Sequence, residues 1–260
     1  RRSRIHPGAG TPGETARFKA VPGVAVMSES VDAPVLAPPY QGQRLLELLI
    51  GRDFVRLAAR TPNLLRRDDA SRRQTVILTS GFGGTDATLN PLRWFLRSVG
   101  HDARPVGLGR ISDDVEALSE LVAEKATALA QRAGEPVALV GWSIGGVLSR
   151  EAARMHPDVI DRVITFCTPV VGGPSYTSLA FRYSEEYLAE IRTLIEAREQ
   201  TPIEVPITAI WSRNDGVVNP EACIDRRSPD VEKVEVTATH VGLAYDPNVW
   251  DIVSDRLDSG

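Results

Sequence analysis

The chain is 260 residues long and 42% hydrophobic, with 30 basic and 34 acidic side chains and a net charge of −4. That length and apolar content suffice for one large core, so one α/β domain is expected, and the near-balanced charge excludes a long-range pull toward nucleic acid. No apolar run approaches membrane-spanning length, and the two cysteines, Cys167 and Cys223, make neither a metal-ligand pattern nor a disulfide framework and read as thiols.

Residues 1–40 carry Pro7, Pro12, Pro22, Pro34, Pro38 and Pro39 with weak periodicity and read as a surface arm, leaving the domain proper over 41–260. From Gln41 to about Ala59 the leucines, Phe54, Val55 and Leu57 predict a helix packed on the main body. It should stop before Thr61-Pro62, because the residue ahead of a proline disfavours helical angles. A buried strand is predicted at Thr75–Thr79, then the glycine-rich loop Ser80-Gly81-Phe82-Gly83-Gly84, then a helix capped by Asn90, opened by Pro91 and closed by Gly100. Ala103–Val106 reads as a short strand. Ser112 caps a helix whose first turn holds Asp113, Asp114 and Glu116 and whose core face is Val115, Leu118, Val122 and Leu129.

Past Gly134 and Pro136, Val137–Val140 has the branching of a buried strand, and Ile144, Val147, Leu148, Ala152 and Met155 recur on one helix face up to His156-Pro157. Strands at Arg162–Phe166, Val205–Trp211 and Val231–Val236, with a final helix from Pro247 to about Leu257, complete an alternation that builds a mainly parallel sheet flanked by helices. Residues 170–204 interrupt it. They hold Tyr176, Phe181 and Tyr183, and a helix from about Ser184 with Tyr187, Leu188, Ile191, Leu194 and Ile195 on one face, which makes them a candidate helical cap over the carboxyl edge of the sheet.

Where the third strand becomes a helix stands Gly141-Trp142-Ser143-Ile144-Gly145, a G-x-S-x-G. A turn that tight strains the serine backbone and needs small residues two positions to either side. The pattern alone arises by chance in about one chain in ten of this length, so its weight lies in its place between a strand and an amphipathic helix. A serine hydroxyl is a weak nucleophile and needs a general base, with a third group to hold that base. Of four histidines, His6 lies in the arm, His101 follows a helix-ending glycine and His156 ends a helix; His240, just after the last strand, is the candidate base. Asp215, in the turn Asn214-Asp215-Gly216 after the fifth strand, is the candidate orienting acid. Asp225 and Asp230 are the alternatives, in a charged segment that reads as solvated. Backbone amides of Ile144 and of Phe82 in the glycine-rich loop are the candidate oxyanion donors. The same loop lacks the closing Gly-Lys-Ser/Thr of a phosphate loop, no clustered ligands call for a metal, and no cofactor is implied.

Over most of residues 75–257 these segments resemble bacterial α/β-hydrolases of the esterase and lipase type. The likeness is carried by Ser80-Gly81-Phe82-Gly83-Gly84-Thr85-Asp86, Gly141-Trp142-Ser143-Ile144-Gly145-Gly146, Ser212-Arg213-Asn214-Asp215-Gly216 and Thr239-His240-Val241-Gly242. One departure is Ser80, where the family often has proline or histidine. The resemblance implies an α/β-hydrolase fold and a Ser143, Asp215, His240 triad that cleaves carboxylic esters. A small-molecule ester with an apolar, lipid-like acyl chain is read from Leu179, Phe181, Tyr183, Tyr187 and Ile191 of the candidate cap, for which core packing is the alternative. The same triad would also serve an acyltransferase or a thioesterase, and from another class stands a catalytically silent binding protein on the same scaffold. No signal segment is visible, which favours the bacterial cytoplasm over secretion.

Overall fold

The structure, a computed structural model, describes residues 36–39, 45–64 and 71–259; most of the arm expected over 1–40 lies outside the described residues. Six short strands form one sheet: β1 (Thr75–Thr79), β2 (Asp102–Pro105), β3 (Val137–Trp142), β4 (Ile160–Phe166), β5 (Ile207–Ser212) and β6 (Val231–Val236). Their order is β2-β1-β3-β4-β5-β6, and every neighbouring pair is parallel. Parallel neighbours need a crossover; between β5 and β6 it runs through a 3-10 turn, Pro220–Cys223, and elsewhere through α-helices. They are α1 (Ile50–Leu64), ahead of the sheet, α2 (Asn90–Ser98), α3 (Val115–Ala133), α4 (Ile144–Met155), α5 (Glu185–Arg198) and α6 (Pro247–Asp258).

Strand β1 shows how the layers arise. Alternate side chains point to opposite faces, so Val76 and Leu78 join a core with Leu92, Phe95 and Leu96 of α2 and Val249, Trp250 and Val253 of α6. Between them Ile77 faces the other way, into a second core with Val122, Ala126 and Leu129 of α3 and Leu148 and Ala152 of α4. Burial on both faces explains why β1 and β3 read as nearly unbroken apolar runs.

The order of the strands also locates a crevice. From β1 the chain steps outward to β2, then returns across β1 to β3 and continues in the opposite direction. Loops leaving the carboxyl ends of β1 and β3 therefore diverge, and ligands of open α/β sheets bind at such a reversal. These loops are the glycine-rich stretch from Ser80 and the turn at Ser143.

Several sequence expectations shift. The pre-sheet segment starts as a 3-10 turn, Leu45–Leu49, and α1 passes through Pro62 to Leu64. Burial of Leu64 in the first core holds that last turn, and the Thr61 hydroxyl donates to Leu57 O at 2.7 Å. The leucines of the opening turn do not dock it: Leu45 is 64% and Leu48 78% exposed, while Asp53 is wholly buried and Leu57 packs against the first core. Asn90 is already helical, because the 3-10 turn Asp86–Leu89 runs straight into α2. Asp114 rather than Ser112 caps α3, its carboxylate accepting from Ala117 N at 3.2 Å. Met155 closes α4 in an exposed position. Strand bounds move by one or two residues.

Candidate active site

Ser143 sits between β3 and α4 with φ 56° and ψ −126°, a left-handed backbone that costs a non-glycine residue about 1–3 kcal/mol. Its surroundings impose that shape. A Cβ on Gly145 would overlap the carbonyl oxygens of Thr79 and Ser80, and one on Gly141 would overlap the backbone of Gly145 and Gly146. The start of α4 therefore lies directly on the end of β1, with the Ser143 amide held by Phe166 O at 3.0 Å. The glycine-rich loop is adjacent: a Cβ on Gly81 would stand 3.3 Å from that of Ser143. Within that loop the Gly83 amide is engaged by Ile111 O and the Gly84 amide by Gly81 O, both at 2.9 Å.

On the other side of the serine, loops after β5 and β6 bring Asp215 and His240 together across 25 residues of sequence, Nδ1 to Oδ2 at 2.8 Å. Both side chains are buried. The second oxygen of Asp215 accepts from the amides of Val217 at 2.7 Å and Val218 at 2.8 Å, so the carboxylate is oriented by its own turn. Trp142, next to the serine, donates its indole N–H to His240 O at 3.2 Å, with the two rings 5.6 Å apart. Burial opposes a charged imidazole, but the Asp215 carboxylate and its hydrogen bond, with Glu47 behind them, prevail and hold His240 above the ordinary histidine value.

Cys167 completes this corner. It follows β4 with φ 47°, is free like Cys223, and burial pushes its thiol well above the ordinary range. Its sulfur lies within 4.8 Å of ligand atoms of Asp215 and His240, so the fold assembles a cysteine, an aspartate and a histidine that are scattered in sequence. Nδ1 of His240 and both oxygens of Asp215 already serve one another and the loop amides.

A cleft open to solvent lies beside Ser143. Phe82, Ile144, Val147, Leu179, Tyr183 and Ile191 are among its walls. Tyr183 donates to Asp113 at 3.1 Å and stacks on Tyr187 with ring centroids 5.2 Å apart; burial first, then Asp113, pushes its phenol up to about 12. Arg182 lies 5.3 Å over the Phe82 ring. Phe181, expected among these residues, is 75% exposed and does not line the cleft.

Asp225 also departs from the solvated reading. It is buried and pairs with Arg150 of α4 at 2.8 Å, which, with the amides of Arg227 and Ser228, overcomes burial and lowers its pKa to about 2. Asp230 ends the stretch that leads into β6, away from His240. Glu47 and Asp53 went unremarked in the sequence, although both carboxylates reach the loop that carries His240. Each lies more than 180 residues from its partners in that loop, and no local pattern marks such a contact.

No family model matches the chain, and no curated protein matches it. Solved structures do. A monoacylglycerol lipase from Paleococcus ferrophilus is 16% identical and superposes with a TM-score of 0.55 over 74% of this chain and 96% of its own. A structure of the metagenome-derived lipolytic enzymes LipS and LipT gives 16%, 0.53, 73% and 93%, and the type II thioesterase BorB of the borrelidin biosynthetic cluster gives 19%, 0.51, 74% and 94%. At such identities the likeness is one of fold. Among the described residues no helix is long and apolar enough to cross a membrane.

Proposed function

We propose that this chain, whose fold is that of the α/β-hydrolases, is a serine hydrolase that cleaves carboxylic esters through an acyl-enzyme. The observation that carries the reading is the buried Asp215–His240 pair, 2.8 Å apart on the loops after β5 and β6, at the same sheet edge as a serine held at φ 56° after β3. In this reading Ser143 Oγ attacks the ester carbonyl carbon while His240 Nε2 takes the hydroxyl proton, and Nδ1–H stays on Asp215, which holds the ring in that tautomer. The carbonyl oxygen becomes an oxyanion that accepts from the amides of Phe82 and Ile144. Collapse re-forms the carbonyl, and the alcohol leaves with the proton that His240 returns. Water then repeats the sequence against the acyl-enzyme, releasing the acid and restoring Ser143.

The apolar walls of the cleft, with Leu179, Tyr183, Tyr187 and Ile191 contributed by the candidate cap over 170–204, support an acyl chain as the recognised part of the substrate. A fluorophosphonate should add one adduct, mapped by peptide mass spectrometry to Ser143, and p-nitrophenyl esters should turn over faster as the acyl chain lengthens from two to several carbons. An adduct on another residue would remove Ser143 from the mechanism. A rate indifferent to chain length would remove the acyl-chain reading. Labelling without ester turnover would favour an acyltransferase or thioesterase that needs its own substrate, and neither labelling nor turnover would favour the silent binding protein.

A further inference from the structure

The loop that carries His240 is fastened from outside the sheet. Glu47, in the 3-10 turn ahead of α1, accepts three backbone N–H groups: Gly216 and His240 on Oε1, both at 2.9 Å, and Val241 on Oε2 at 3.2 Å. Gly216 directly follows Asp215. One carboxylate therefore bridges the loop of the acid and the loop of the base. Asp53 extends the hold, accepting from Thr239 N at 3.1 Å and Thr239 Oγ1 at 2.9 Å, while that hydroxyl accepts from Gly242 N at 3.0 Å. Four successive amides, from Thr239 to Gly242, thus end on side-chain oxygens.

We infer that Glu47 is a positioning residue for the triad proposed above, setting the Asp215 loop and the His240 loop in register and presenting a second negative charge to the imidazolium that forms in each half-reaction. Asp215 and His240 leave from different strands, so their hydrogen bond depends on the relative placement of two loops. An ionised carboxylate is the strongest acceptor available to the amides that fix it. The inference rests on the serine-hydrolase reading for its catalytic meaning, but the contact itself is independent of it.

The electrostatic consequence has a definite sign. Facing His240 are Asp215 from the loop after β5, Glu47 from the pre-sheet turn, the uncharged Cys167 thiol at the end of β4, and Trp142 at the elbow. Glu47 is the second anion acting to raise the His240 pKa. Removing its charge should lower the histidine midpoint.

The test uses the whole chain with Glu47→Gln, which keeps shape and one acceptor but loses the charge and turns an amide N–H2 toward Val241, and with Glu47→Ala. The His240 imidazole titration is followed by NMR, assigned by the signal lost in His240→Ala, and kcat and KM on a p-nitrophenyl ester are measured across pH. In Glu47→Gln the His240 midpoint should fall by about half a pH unit. The acid limb of kcat should move with it, and kcat should drop about tenfold with KM nearly unchanged. The alanine variant should lose more, and if it does not fold the glutamine variant decides. A wild-type midpoint and kcat in Glu47→Gln would overturn the inference, and so would a lower kcat with an unmoved midpoint, which would leave Glu47 as a fold staple. A wild-type protein without turnover or fluorophosphonate label would overturn the hydrolase reading instead, and the histidine titration would still decide whether Glu47 acts on His240.

Discussion

Ser143 and His240 are held by different kinds of force. The serine turn is fixed by close backbone contact: glycines at 141 and 145 let the start of α4 lie on the carbonyls that end β1, and the contacts lie within a few residues or one neighbouring strand. The histidine loop is fixed by charge: carboxylates of Glu47 and Asp53, more than 180 residues earlier, take its amides, and Asp215 takes its ring. Steric fixation leaves a motif in the sequence. Electrostatic fixation over such a span leaves none, and it should answer to pH where the first does not.

The largest effect should come from the charged side. Asp215→Asn keeps the shape but loses the charge and the tautomer control, so kcat for ester hydrolysis should fall by about 10⁴ while the urea midpoint moves far less. A loss below tenfold would break the comparison. On the elbow side Arg150 of α4 is anchored by a long-range ion pair with Asp225, and Arg150→Ala strands that buried carboxylate at a cost of about 3–5 kcal/mol by urea unfolding. The pH sign follows from the pair: the folded pKa of Asp225, about 2, lies below its ordinary 3.8, so this stabilisation is whole above pH 4 and is lost as pH falls toward 2. The variant should lack that acid-sensitive portion.

Gly145→Ala tests the steric side directly. It should destabilise the protein by about 3 kcal/mol, read as a shifted urea midpoint, at every pH from 5 to 9 alike, because the overlap with Thr79 and Ser80 carries no charge. The smallest effect concerns the histidine itself. Its pKa is raised, and the base must be neutral, so protonation removes activity sooner as pH falls: the acid limb of kcat/KM should lie above the ordinary histidine value of 6.5. A limb below about 6 would contradict the charge balance described for that loop.

The same contrast explains what could be read in advance. The strand and helix alternation, the G-x-S-x-G turn, and the turns bearing Asp215 and His240 all have local signatures, in period, glycine placement and chain position. What failed was tertiary. Leu48 looked like a docking residue because periodicity reports which face is apolar and not which face meets the body, and it is Asp53 that is buried. Asp225 looked solvated beside Arg226 and Arg227, yet its partner is Arg150, 75 residues earlier on α4. Asn90 and Ser112 are reasonable caps that lost to neighbours already helical or better aimed.

The most direct test of the central claim is hydrolysis of a p-nitrophenyl ester near pH 8 by the protein and by Ser143→Ala, each checked for folding by circular dichroism. Steady turnover by the first and a loss of at least about 10³-fold in the second are expected. Equal turnover by a folded Ser143→Ala protein would contradict the proposed serine nucleophile.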